Sequence, residues 1–279
     1  MNSDFATELV KEHYSKEEVK LEVIEFSRRR WIALAGNRWV RYLSGVPITT
    51  DVLSLPDTLI STGTRALYAT ASLYNELSRK EDVFDETKVK AVTPFLDIDN
   101  EPEDWKLTVE AARILVDALD SLGIRRSRYV LWSGRGVHVR VNELSMSEEF
   151  RGLDSAWALA ELVRLKVEER ISDLRIKARS LRVENQLKPR ALFTVPLSLH
   201  RKLDRVAVCV NPDDLDDFDI SWAEPLDFKH WRDWRKYETG ESDQAVLEAL
   251  SRLGGYYRRG RSRKELPVDE MIRRWEHSL

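Results

Sequence analysis

One cysteine, Cys209, stands in 279 residues. A single thiol excludes an internal disulfide and any zinc site built on cysteines, so no structural zinc is expected. Within Val206-Ala207-Val208-Cys209-Val210 it reads as a small packed apolar group. The chain also lacks an apolar run of about eighteen residues, the length a membrane helix needs, and Met1-Asn2-Ser3-Asp4 opens no secretory pattern. The expectation is a cytoplasmic protein with no membrane partner. Glycine and proline number only 11 and 9, which leaves little room for linkers, and neither an internal repeat nor a low-complexity tract is present. Charge of one sign is lacking too. With 45 Lys and Arg against 48 Asp and Glu the net charge is −3, so no global field draws in a polyanion and any polyanion site must be local.

What is present suits a globular chain with a sizeable core: 42% of residues are hydrophobic and 33% charged. Periodicity predicts helix over residues 5–14, a strand over 21–26, and a hairpin from 31–35 and 39–43 split by Gly36-Asn37. Helix is predicted over 64–78, strand over 91–98, and helix over 105–122 ended by Gly123. Strands over 128–132 and 136–141, helix over 147–171, and strands over 190–196 and 204–210 follow. This order is α+β (mixed α/β), with a central sheet built from hairpins and crossovers. Beyond the acidic turn at 213–219, tryptophans accompany short helical patterns. That shift places a boundary near 220, between a catalytic domain of residues 1–220 and a helical C-terminal subdomain of residues 221–279.

Three constellations carry chemistry. In Phe95-Leu96-Asp97-Ile98-Asp99 two carboxylates sit two apart inside an apolar run, and on a strand they share a face. Two anions held there need a cation. A calcium loop is excluded, because its sixth position requires glycine and Pro102 stands there. In Leu131-Trp132-Ser133-Gly134-Arg135-Gly136-Val137-His138 a Gly-rich turn carries a hydroxyl, a guanidinium and an imidazole. A plain hairpin explains the glycines; it does not explain Arg135 at the tip or His138 beyond it. The amides of Gly134 and Gly136 suit close approach to phosphate oxygens, with Arg135 adding paired contacts. In Val195-Pro196-Leu197-Ser198-Leu199-His200-Arg201-Lys202 a strand-like run ends in a hydroxyl, an imidazole and two cations. Carboxylates for divalent metal beside groups for triphosphate suggest nucleotidyl transfer by two-metal chemistry.

Four basic runs are local candidates for a polyanion: residues 28–30, 125–128, 164–182 and 258–264. Any one of them reads equally as a solvated face. The last stands out because Tyr256 and Tyr257 lead into Arg258, Arg259, Arg261, Arg263 and Lys264, and aromatics beside cations stack bases and hold phosphates.

Taken in order, hydrophobic-Asp-hydrophobic-Asp, Ser-Gly-x-Gly-x-His and Pro-x-Ser-Leu-His-x-Lys resemble the signature of the archaeo-eukaryotic primase superfamily. The likeness is to the archaeal small catalytic primase subunit and to plasmid-encoded primase-polymerases, over roughly residues 20–215. Ile24-Glu25-Phe26 resembles that family's Arg-Glu-Phe segment, and residues 68–74 the stretch before its metal motif. The resemblance implies a catalytic core with an RRM-like sheet and template-directed polymerisation of (d)NTPs on single-stranded DNA. It implies two Mg²⁺ or Mn²⁺ ions held by Asp97, Asp99 and a third acid, for which Glu184 lies in the right window, with Asp204 and Asp173 as weaker substitutes. It assigns the incoming nucleotide to Ser133, Gly134, Arg135, Gly136, His138, Ser198, His200 and Lys202. A helicase domain on the same polypeptide or a large primase subunit would be the implied protein partner. Two departures favour the mobile-element type: a lone cysteine cannot build a zinc knuckle, and Arg201-Lys202-Leu203-Asp204 stands where Lys-Thr-Gly is common. The competing readings are a non-catalytic, template-binding accessory subunit and a sugar-nucleotide transferase that uses Asp-x-Asp.

Overall fold

The computed structural model of the chain describes residues 3–256. Helices α1 (Ser3–Ser15) and α2 (Glu17–Ser27) lead into strands β1 (Ile32–Gly36), β2 (Trp39–Val40), β3 (Tyr42–Leu43) and β4 (Val46–Pro47). Helix α3 (Asp57–Thr62), strands β5 (Thr64–Thr70), β6 (Ser72–Tyr74), β7 (Val89–Val92) and β8 (Phe95–Asp99), and helix α4 (Trp105–Ser121) follow. Then come β9 (Arg128–Trp132), β10 (Val137–Val141), α5 (Leu153–Lys177), β11 (Arg182–Glu184), β12 (Leu192–Thr194), β13 (Val208–Val210) and α6 (Asp243–Leu253). This is the mixed helix-and-strand class expected from the sequence.

The run β8-α4-β9-β10-α5-β11 forms an antiparallel sheet ordered β11-β8-β10-β9-β13. Without β13 that is a split βαβ unit with spatial order 4-1-3-2, the RRM-like arrangement. Alternation sorts its two faces. Leu96, Ile98, Val130, Val137, Val139 and Val183 are buried on the face that packs against α4 and α5. The opposite face carries Asp97, Asp99, His138, Arg140 and Glu184, in register across three strands. A second sheet, β12-β5-β1-β2, faces them. Between the sheets the rings of Phe26, Phe95 and Phe193 pack at 5.3 to 5.6 Å.

Several elements differ from the sequence reading. The predicted strand at 21–26 is helix α2: Val19, Val23 and Phe26 are buried at helical spacing, while Leu21 and Ile24 are exposed. The predicted helix at 64–78 is β5 and β6. Its alanines favour helix in isolation, but β5 lies between β12 and β1. Small side chains are needed there, because Ala33, Ala35 and Ala66 line the floor beneath Trp39 and Tyr68. The strand at 91–98 is broken at Thr93-Pro94 into β7 and β8, which join different sheets. Across residue 220 the core is continuous: Ala223, Trp234, Ala245, Val246 and Ala249 belong to the same buried cluster as β8 and β9. Buried Glu22 binds this stretch to α2 through Trp234, Arg235 and His230.

Candidate active site

Register builds the site. Asp97 lies directly opposite His138 on β10 and Glu184 on β11, and Asp99 opposite Arg182. The imidazole Nε2 of His138 is 3.2 Å from Asp97 Oδ1. Its tautomer follows from its other partner. The Arg140 guanidinium, which can only donate, meets Nδ1 at 2.7 Å, so Nδ1 accepts and Nε2 carries the hydrogen toward Asp97. Partial enclosure and the neighbouring charge of Asp97 push the Asp99 carboxyl above its ordinary range. Glu184 reaches the same face from the edge strand, where Gln186 donates to it at 2.5 Å.

Among the described residues no three His, Cys, Asp or Glu side chains converge into a metal cage. The donor set fits a different kind of ion site. Mg²⁺ is commonly held by one or two carboxylates, with water and substrate phosphates completing the shell. Two aspartates on one face that repel each other meet that description.

The Ser133-Gly134-Arg135-Gly136 turn closes the β9-β10 hairpin, with Ser133 N–H donating to Gly136 O at 2.8 Å. Both glycines are required by contact. A Cβ on Gly136 would lie 2.4 Å from the Ile98 carbonyl oxygen, and one on Gly134, where φ is +101°, 2.9 Å from His200 Cβ. The turn therefore seats against β8 on one side and His200 on the other. Gly136→Ala is expected to push the hairpin off β8, lowering the thermal midpoint by several degrees. An unchanged melt would show that β8 gives way instead.

His200 Nδ1 accepts the N–H groups of Lys202 and Leu203 at 3.2 and 2.9 Å, which leaves Nε2–H as its outward donor. Burial, together with Arg65, Arg135, Lys202 and Arg201 around it, brings its pKa down to about 4. At neutral pH it is an uncharged donor in a positive setting. Because the native value lies below the unfolded 6.5, the unfolded chain binds more protons between pH 6.5 and 4. Stability contributed by His200 is complete above that window and lost as pH falls through it. The stability difference between wild type and His200→Gln, measured by denaturant unfolding, is expected to shrink between those limits. A difference independent of pH would mean that His200 is not held neutral.

Arg135 sits at the tip, its Nε donating to Asn100 O at 3.3 Å, and Lys202 is exposed beside His200. Ser198 is placed differently from expectation. It is wholly buried, accepting Leu67 N–H at 2.8 Å and donating to Leu199 O at 3.0 Å, so it braces the second sheet and does not reach the cleft. Asp204, a substitute for the third acid, is bound by Arg65 at 2.9 Å. Tyr256 packs its ring on Trp157, whereas Tyr257, Arg258, Arg259, Arg261, Arg263 and Lys264 lie outside the described residues.

Three further groups at the site carry no sequence signal of their own. Tyr68 on β5 feels both Asp97 and Arg201, and burial raises its phenol. Trp39 stacks on Tyr68 at 4.9 Å. Arg140, fully buried, holds His138 from behind.

No protein family matches the sequence, and no curated protein is similar to it in sequence. Solved structures are similar. The polymerase domain of Mycobacterium tuberculosis ligase D, solved in complex with DNA, superposes with a TM-score of 0.54 at 14% identity, covering 90% of each chain. The primase-polymerase domain of cyanophage S-2L has a TM-score of 0.34 at 12% identity, over 73% of this chain and 96% of that one. The first likeness shows that the chain shares the fold of that polymerase domain.

Proposed function

We propose that the chain is a template-directed nucleotidyltransferase, a primase-polymerase that adds nucleotides from (d)NTPs on single-stranded DNA. The reading is carried by one observation: Asp97 stands in register with His138 and Glu184, Asp99 two residues on, and the turn of Ser133 to Gly136 and His200 close the same face.

In this reading Asp97 and Asp99, with Glu184 at the edge, hold Mg²⁺ or Mn²⁺. When bound, such ions activate the attacking hydroxyl and neutralise charge on the phosphates. A 3′-hydroxyl attacks the α-phosphorus, forming one P–O bond as the bond to pyrophosphate breaks. The protein's own groups position and stabilise. His200 offers Nε2–H to a phosphate oxygen without competing for a proton. Arg135 and Lys202 balance the triphosphate, and the amides around Gly134 and Gly136 allow its close approach. His138, its tautomer set by Arg140, orients Asp97.

Primer extension with labelled deoxynucleotides, Mn²⁺ and the full chain tests this. Template-dependent incorporation is expected, with His200→Ala raising the nucleotide KM about tenfold, roughly 1.4 kcal/mol, and leaving single-stranded DNA affinity unchanged. DNA binding without incorporation would favour the accessory-subunit reading. Neither activity, with hydrolysis of a sugar nucleotide, would favour the Asp-x-Asp transferase.

A further inference from the structure

A line of aromatic and cationic side chains leaves the candidate site along the β1 to β4 hairpins, its outer members resting on the buried rings of Trp31 and Tyr74. It starts at Tyr68, within the field of Asp97, and passes to Trp39 at 4.9 Å. Arg201 and Arg41 lie over the Trp39 ring, each at 5.9 Å. Arg41 also lies over Trp31 at 5.4 Å, and Trp31 packs on Tyr42 at 5.4 Å. Lys80 covers Tyr42 at 5.8 Å, and Arg190 acts on Tyr42 and Tyr74. The line ends where Arg190 sits 4.8 Å over Phe84, at the mouth of a cavity of about 160 Å³ lined by Tyr74, Val89, Val92 and Leu153.

Two properties separate this line from ordinary surface. Trp39 and Phe84 are large apolar rings left 43% and 53% exposed, where burial would be favourable. Among the described residues, Arg41, Lys80, Arg190, Arg201 and Lys202 make no ion pair, whereas several cations of the basic runs conspicuous in the sequence do. Arg30 is buried against Glu143, Arg128 against Asp120 and Asp213, Arg126 meets Glu238, and Arg164 and Arg175 share Glu168. Arg190 even holds a left-handed φ of 60°, a conformation costly for a residue with a Cβ. Acidic groups also face the line: Asp97 at its start, Glu81 beside Tyr42, and at the cavity Glu86 and Asp85, the last engaged by Thr87.

Resting on the function proposed above, we propose that the single-stranded DNA template lies along this line, its bases stacking on Trp39 and Phe84 and its phosphates meeting Arg41, Arg190 and Arg201. Exposed rings interleaved with uncompensated cations are the arrangement that holds a single strand without reading its sequence. The net charge of −3 makes such a local track necessary.

The test uses the full chain and fluorescence anisotropy of a labelled oligo(dT), with no nucleotide or divalent ion, over a salt series. Trp39→Ala and Phe84→Ala are each expected to weaken binding about fivefold or more, from loss of one stacking platform. Arg41→Ala with Arg190→Ala should flatten the dependence of log K on log salt by about 0.7 per cation. Unchanged thermal midpoints identify the losses as contact losses, since these side chains are exposed or half-buried. Primer extension by the wild type, run in parallel, reads the proposed function separately. Wild-type extension with unchanged affinity and slope in all three variants would overturn the track while leaving that function intact. Equal weakening for a blunt duplex would overturn single-strand stacking, and loss of binding on deleting only residues 257–279 would move the track to that segment.

Discussion

Asp97→Asn with Asp99→Asn is expected to abolish incorporation, a loss of about a thousandfold or more, roughly 4 kcal/mol of barrier, and yet to stabilise the protein in the absence of divalent ions. The two effects share a cause. The carboxylates share one face of β8, and the Asp99 carboxyl is pushed upward by enclosure and by Asp97 more than Arg135 draws it down. Since its native value exceeds the unfolded 3.8, ionisation above that pH favours the unfolded chain. The amide removes that penalty, so the gain in thermal midpoint should be present at pH 7 and vanish as pH falls to about 4. Asparagine at 97 can still accept the His138 Nε2–H through its amide oxygen, which preserves the strand register. Binding of oligo(dT) should be retained. Residual activity near wild type in the double variant would end the metal reading, and a loss of thermal stability would mean that the carboxylates are structural acceptors.

The parts of this site that could be read in the sequence were those whose chemistry is contiguous. Asp97 with Asp99, the turn from Ser133 to Gly136, and His200 with Lys202 each fall within a few residues; the first two close strands β8 and β9, and the third lies beyond the end of β12. What escaped is assembled from distant strands. Tyr68 and Trp39 come from the second sheet, and Tyr68 lies in a stretch whose alanines argue for helix; only the pairing of β5 with β1, which sets Ala66 across from Ala35, makes it a strand. Ser198 stands beside His200 in one motif, but the segment turns instead of alternating: Leu197 holds a left-handed φ of 57°, and the Ser198 hydroxyl faces inward to Leu67. Charge runs misled for a physical reason as well. A cation is available to a ligand only if no carboxylate has taken it, and pairing is invisible in a linear chain: Arg128 looked like part of a basic cluster and is closed by two aspartates, whereas Arg41 and Arg190 are isolated in sequence and unpaired in space.

Arg140→Met is expected to leave the protein folded and to lower incorporation at least tenfold. In Val137-His138-Val139-Arg140-Val141 it resembles any strand residue that alternates out to solvent, and it is instead wholly buried. Its guanidinium lies 4.0 Å over Phe193 and within 5.9 Å of Phe26 and Tyr129. One nitrogen donates to His138 and to the Thr194 carbonyl oxygen; Nε and Nη1 have no partner among the described residues. Burial lowers its affinity for the proton. Removing the buried charge relieves its desolvation penalty, which offsets the loss of about 1–3 kcal/mol at each of the two stranded acceptors. Function does not share that cancellation. Without a donor at Nδ1 the imidazole is free to take the other tautomer, which turns a lone pair instead of a hydrogen toward Asp97. Nitrogen-15 spectra should show His138 as the Nε2–H form in the wild type and as a mixture in Arg140→Met. Arg140→Lys, which can donate but not stack as a plane, should recover the tautomer and part of the activity. A Met variant that incorporates nucleotide at the wild-type rate with His138 still in the Nε2–H form would show that Asp97 alone sets the imidazole, and that the buried guanidinium serves packing.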